Sequence, residues 1–173
     1  MNENLNGSLF YIFGATGDLA KRKLFPAIYS LYREGRLGEK FAVIGVARRE
    51  RTSEQFREEV YQSITEFARY KAEKNADWER FAAHFEYKPM NINDLEQYKE
   101  LSRLSDELDH KFELSGNRLF YLALAPELFG PVAGNLKAGG MLETHGWQRL
   151  VIEKPFGYNL ASANLLNEQI RQV

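Results

Sequence analysis

The stretch Phe13-Gly14-Ala15-Thr16-Gly17-Asp18-Leu19-Ala20 decides the reading of this chain. It follows a short apolar run, Leu9-Phe10-Tyr11-Ile12-Phe13, and opens an apolar-periodic segment. That order predicts strand, tight glycine turn and helix. Gly14 permits a reversal at φ values that other residues avoid, and Gly17 permits close approach of backbone to a ligand. The helix then aims its first N–H groups and the positive end of its dipole at whatever lies above the turn, which makes a phosphate site. The spacing is G-x-x-G-x-x-A rather than the common G-x-G-x-x-G. On the glycines alone, a nucleotide site and an ordinary strand-to-helix turn both stay open.

Outward from this turn, apolar β-prone runs alternate with helical patterns. The first helix is carried by Leu19, Leu24, Ile28 and Leu31 and ends near Gly35, with Pro26 forced to kink or restart it. A second run, Phe41 to Val46, leads to a helix opened by Thr52 with Gln55 as a capping box. Phe56, Val60, Ile64 and Phe67 form its apolar face, and Ala68 to Ala76 reads as solvated helix or loop. The third run, Phe85 to Met90, is weak, and Pro89 puts it at an edge or a strand end. Asp94 caps a helix faced by Leu95, Tyr98, Leu101, Leu104, Leu108 and Phe112. The fourth run, Arg118 to Leu124, reads as the clearest buried strand, followed by a short helix over 127–138 that stops at Gly139-Gly140. The fifth, Arg149 to Glu153, runs into Lys154-Pro155-Phe156-Gly157 and a last helix from near Asn159. The aromatics Phe56, Phe67, Tyr98, Phe112, Phe120 and Tyr121 read as core. Such alternation predicts one doubly wound α/β domain over 1–173, a mainly parallel sheet with helices on both faces.

Bulk properties exclude whole classes. The chain has 173 residues, a formal net charge of −1 and no cysteine. Disulfides and thiolate chemistry are excluded, and nothing suggests a nucleic-acid binder. The first residues, Met1 to Gly7, lack the basic region of a signal peptide, and no apolar stretch approaches the ~20 residues of a membrane span. The expectation is a cytoplasmic protein with no membrane partner.

In an open α/β sheet, ligands bind beyond the carboxyl ends of the strands. That edge collects Thr16, Asp18 and Lys23, then Arg48-Arg49, Asn91-Ile92, Ala125-Pro126 and Lys154-Pro155. An acidic residue after the second strand would favour NAD, whereas an arginine there forks onto a 2′-phosphate and favours NADP. A solvated basic pair is the alternative. Lys154, held extended by Pro155, which also permits a cis bond, brings one cation to the same edge. His84, His110 and His145 belong at the opposite edge, and no histidine pair has metal-ligand spacing. Tyr70 and Lys74 have the spacing of a short-chain reductase pair but lie on the second helix, too early in the chain. No metal site is expected.

Gly14 to Pro26, Gly45-Val46-Ala47-Arg48, Asn117 to Pro126 and Glu153-Lys154-Pro155-Phe156-Gly157 together resemble the glucose-6-phosphate dehydrogenase family. The resemblance implies a Rossmann-type coenzyme domain and hydride transfer from C1 of glucose 6-phosphate to NADP, giving the lactone. It implies that Gly14, Ala15, Thr16, Gly17, Asp18, Leu19, Ala20 and Lys21 wrap the pyrophosphate and that Arg48 holds the 2′-phosphate. Asn91 and Ile92 would lie near the cofactor, Lys154 on both substrate and cofactor, and Lys23 close to the substrate. Asn91 stands where bacterial relatives typically have aspartate, and Phe129 where some have tyrosine. The family continues with an Asp-His-Tyr-Leu-Gly-Lys segment and a larger β+α domain holding the general-base histidine and the oligomer contacts. Neither occurs in these residues, so no catalytic base is expected here and the chain reads as the coenzyme domain alone. A free-standing NADP-binding module with a sensing or interaction role is the alternative.

Overall fold

The computed structural model describes residues 7–154, 157 and 159–171. The N-terminal reading over Met1 to Asn6 and the Pro155 and Phe156 positions lie outside the described residues. Five strands form one parallel sheet in the order β3-β2-β1-β4-β5: β1 (Ser8–Phe13), β2 (Phe41–Ala47), β3 (Phe85–Pro89), β4 (Asn117–Leu122) and β5 (Gln148–Ile152). The order reverses at β1, whose two neighbours are β2 and β4. This is the doubly wound α/β fold that the alternation predicts.

Strand alternation divides the core into two. Phe10 and Ile12 point to the face that packs with Phe25, Tyr29, Phe41, Phe56 and Phe81. Those residues bring in α1 (Phe25–Arg33), α2 (Ser53–Phe67) and α3 (Ala76–Ala82). Leu9, Tyr11 and Phe13 point to the other face, with Tyr98, Leu101, Phe129, Val132 and Leu166. That face is covered by α4 (Leu95–Phe112), α5 (Phe129–Ala138) and α6 (Leu160–Arg171). Gly45 of β2 lies directly under the Phe56 ring, where a Cβ would collide with the ring, so α2 approaches the sheet closely.

The Pro26 problem is solved by a restart. The chain is helical from residue 18, makes a π turn over Ala20–Leu24, and enters α1 at Phe25 with Pro26 in its first turn. The Phe25 N–H bonds back five residues to the Ala20 carbonyl. The wider turn accommodates a proline that cannot donate to the carbonyl of Arg22. The capping box at α2 forms as expected: Thr52 Oγ1 accepts from Gln55 N at 3.1 Å and Gln55 Oε1 from Thr52 N at 3.0 Å.

Several expectations fail for identifiable reasons. Phe67 is 38% exposed, because α2 ends there and Ala68 turns extended; its ring carries the Arg22 guanidinium instead. Tyr70 and Lys74 therefore lie in a loop rather than on α2, and Lys74 pairs with Glu58 at 2.8 Å. Residues after Asn75 form a separate helix, α3, because the Asn75 side chain accepts from the N–H groups of Asp77 and Trp78. Leu95 sits at the exposed start of α4, and Phe112 is only partly buried. β4 is not fully buried on both faces: Arg118, Phe120 and Leu122 are buried, whereas Leu119, packed on the margin of the first core, and Tyr121 are only partly buried.

Candidate functional site

The turn after β1 is built as the glycines demand. Gly14 adopts φ +82°, and a Cβ there would strike the carbonyl of Ala123 on the neighbouring strand. The N–H groups of Gly14 and Ala15 both bond the Val46 carbonyl, at 2.8 and 3.2 Å, and Gly17 N bonds Gly14 O at 2.9 Å. The turn is thus pinned between β2 and β4. Gly17 differs from Gly14: it is exposed, its φ is ordinary, and a Cβ there would meet only Gly14 O, at 3.1 Å. Gly17 also borders the space above the turn.

That space is a cleft of about 470 Å³ at the carboxyl ends of β1, β2, β3 and β4. Gly14, Thr16 and Gly17 form one wall, and Val46, Ala47, Arg48 and Arg49 a second. Asn91, Ile92 and Asn93 form the third, with Ala123, Leu124 and Leu128 closing it. The walls are held from behind. Ile92 O accepts from Tyr98 Oη at 2.8 Å and from Asn135 Nδ2 at 3.0 Å, while Asn91 Oδ1 accepts from Asn93 N at 3.1 Å. Tyr87 Oη donates to Arg49 O at 2.6 Å and fixes the arginine loop.

The electrostatics are one-sided. Arg48 and Arg49 are exposed on the rim, and none of the described residues lining the cleft is acidic. Among the described residues, no hydrogen bond or ion pair engages the Arg48 side chain. The first N–H groups of a helix lack intrahelical partners, and Thr16 and Gly17 bring this helix start to the cleft wall. The arrangement suits a ligand with phosphates at the turn and a further anionic group at the arginines.

Of the expected site residues, Gly14, Thr16, Gly17, Arg48, Asn91 and Ile92 come together here. Ala15, Asp18, Leu19, Ala20, Lys21, Lys23 and Lys154 do not line the cleft. Ala15 and Ala20 are buried in the core against the sheet. Asp18 lies 3.9 Å from Arg22, and the Lys21 ammonium lies 3.5 Å from Glu59, which also takes Arg51 at 2.6 Å. Lys23 and Lys154 are exposed. Asn93, Ala123, Leu124 and Leu128 were not singled out by the sequence. The rule that ligands sit past strand ends would have found Ala123 and Leu124 by counting beyond β4.

A larger cleft, about 910 Å³, lies at the opposite edge beside His84 and Phe112. Its cations are already matched: Asp77 takes Arg33 at 2.9 Å and Arg80 at 3.2 Å. His84 stacks between Phe41 and Phe112, and its Nδ1 lies 2.6 Å from Phe41 O. Burial lowers the pKa of this imidazole, with Lys111 acting in the same direction. His84 precedes β3, and His145 lies against Gly116 before β4, so both belong to this edge. Among the described residues no group of His, Asp or Glu is placed to hold a metal ion.

A family model described as glucose-6-phosphate dehydrogenase, NAD binding domain, matches residues 11–173. Glucose-6-phosphate 1-dehydrogenase of Bacillus subtilis (strain 168) is 48% identical over 165 residues, which is 95% of this chain and 32% of that protein. The enzyme of the same name from Leuconostoc mesenteroides is 39% identical over 163 residues, 94% of this chain and 33% of that one. A solved structure of a glucose-6-phosphate dehydrogenase in complex with its substrate glucose 6-phosphate superposes with a TM-score of 0.85 at 36% identity. The match covers 96% of this chain and 34% of that one. The Mycobacterium avium glucose-6-phosphate 1-dehydrogenase structure gives 0.78 at 33% identity. The chain therefore spans about a third of the length of the relatives it matches.

Proposed function

This chain belongs to the glucose-6-phosphate dehydrogenase family, and from that premise we propose that it binds NADP in the carboxyl-edge cleft. The observation that carries the proposal is a glycine turn and a pair of rim arginines, at the ends of neighbouring strands, lining one cleft with no acidic lining residue. The segment Gly14, Ala15, Thr16, Gly17, Asp18, Leu19, Ala20 and Lys21 wraps the pyrophosphate; the N–H groups of Gly14, Ala15, Gly17 and Lys21 are bonded to backbone carbonyls, so the donors are those of Thr16, Asp18, Leu19 and Ala20. Arg48 takes the 2′-phosphate, and Asn91 and Ile92 flank the adenosine half. Lys154 contacts cofactor and substrate, and Lys23 lies nearby.

In the proposed reaction the bound NADP supplies the hydride acceptor. The residues of this chain bind and orient; none is placed to take the sugar proton. His84 and His145 lie at the far edge of the sheet, and His110 near the end of α4, also remote from the cleft. We assign the general base, the remaining substrate contacts and self-association to a β+α domain of the whole enzyme, outside these residues. The described residues include no helix long and apolar enough to cross a membrane. A cytoplasmic location is part of the proposal.

Calorimetric titration tests the coenzyme assignment. NADP+ should bind at one site per chain and more tightly than NAD+. Equal or weaker binding of NADP+ would remove the role given to Arg48.

A further inference from the structure

The route from the cleft to Lys154 runs through two strand ends. β4 and β5 lie side by side with Tyr121 opposite Val151 and Leu122 opposite Ile152. Beyond Leu122, β4 continues into Ala123 and Leu124, which line the cleft. Beyond Ile152, β5 continues into Glu153 and Lys154. One side-chain contact ties these outgoing ends: the Tyr121 hydroxyl donates to the Glu153 carboxylate.

We infer that Tyr121 and Glu153 act as a positioning pair that fixes Lys154 relative to the wall of the cleft, an inference that rests on the coenzyme reading above. Three observations carry it. Tyr121 is partly buried and belongs to neither core cluster, so its hydroxyl is bonded at the sheet edge rather than inside the core. Burial, then the Glu153 hydrogen bond and charge, push the phenol up to about 12, so it stays a donor across the neutral range. Among the described residues, no hydrogen bond or ion pair engages the Lys154 side chain. The bond engages one oxygen of the Glu153 carboxylate and ties the residue before Lys154 to β4.

The test is NADP+ affinity of the chain by calorimetry, with the melting temperature of each variant measured alongside. Lys154→Ala and Tyr121→Phe should each weaken binding about threefold to tenfold, the range expected for losing one hydrogen-bonded contact. Tyr121→Phe combined with Lys154→Ala should be no weaker than Lys154→Ala alone, because the hydroxyl acts through the lysine. Glu153→Ala should repeat the loss, and Glu153→Gln, which keeps an acceptor oxygen, should restore it. A purely structural role would lower the melting temperature and add fully to the lysine loss. Normal affinity in Tyr121→Phe beside a loss in Lys154→Ala, fully additive losses, or no rescue by Glu153→Gln overturns the positioning pair and leaves the coenzyme reading standing. An unaffected Lys154→Ala overturns the positioning pair and the cofactor contact given to Lys154, and no NADP+ binding by the unsubstituted chain overturns the coenzyme reading as well.

Discussion

Truncating Arg48 to alanine is expected to weaken NADP+ binding by about 1.5–3 kcal/mol, the range for losing a charge-assisted hydrogen bond. NAD+ lacks the 2′-phosphate and should lose far less. Titrations of both nucleotides into the variant check this, and equal losses would place Arg48 elsewhere. The two glycines of the turn should separate. Gly17 lines the cleft at an ordinary φ, so Gly17→Val adds bulk at the cleft wall and should damage phosphate binding more than folding. Gly14→Val adds a Cβ against the Ala123 carbonyl at a positive φ and should destabilise the fold itself. Melting curves and NADP+ titrations of both variants distinguish the roles; matching profiles would contradict them. At this scale the sequence was legible where one residue has one physical consequence. The glycine turn and Arg48 stand where the spacing puts them. Leu124 and Leu128 were missed because a cleft wall made of leucine looks like any other apolar position.

Among the elements, α2 was legible from its first residue because the capping box is local chemistry, complete within Thr52 to Gln55. Its end was not, because the apolar spacing runs unbroken through Phe67, the last residue of α2, and gives no sign that the chain turns extended at Ala68. β4 was misjudged because an apolar run does not say which of its faces a helix covers. The link between β4 and α4 is an element-scale bond: buried Arg118 is held by both oxygens of Asp109. Asp109→Ala leaves that guanidinium buried and unpaired, and should cost about 3 kcal/mol, the low end for breaking a buried pair because the Asp109 side chain is 24% exposed. Denaturant unfolding reads the loss; a change near zero would show that water replaces the carboxylate. His84 supplies a pH dependence. Its folded pKa lies below the unfolded value of about 6.5, so the unfolded chain binds more protons as the pH drops. The stability contributed by the neutral ring is full above that value and is lost as pH falls through the lower folded pKa. Unfolding free energy should therefore drop more steeply from pH 7 to 5 in the unsubstituted chain than in His84→Gln. Parallel slopes would contradict the buried neutral ring.

For the whole molecule, the doubly wound topology places the two clefts at opposite ends of the strands, and the chemistry rather than the volume separates them. The larger cleft has its arginines matched by Asp77; the smaller has a helix start, glycine backbone and arginines with no acid. The chain should show no dehydrogenase turnover with glucose 6-phosphate and NADP+ when NADPH is followed by absorbance. A positioned base contributes roughly 10²–10⁴-fold in rate, and none of its histidines is at the right edge. The central claim is that the dinucleotide occupies the carboxyl-edge cleft, and amide NMR of the labelled chain titrated with NADP+ tests it most directly. Saturable shifts should concentrate at Gly14, Thr16, Gly17, Arg48, Asn91 and Ala123 and leave His84, Gly35 and Gly38 unmoved. Shifts centred on His84 and the amino-edge cleft, or none at either edge, would contradict the account.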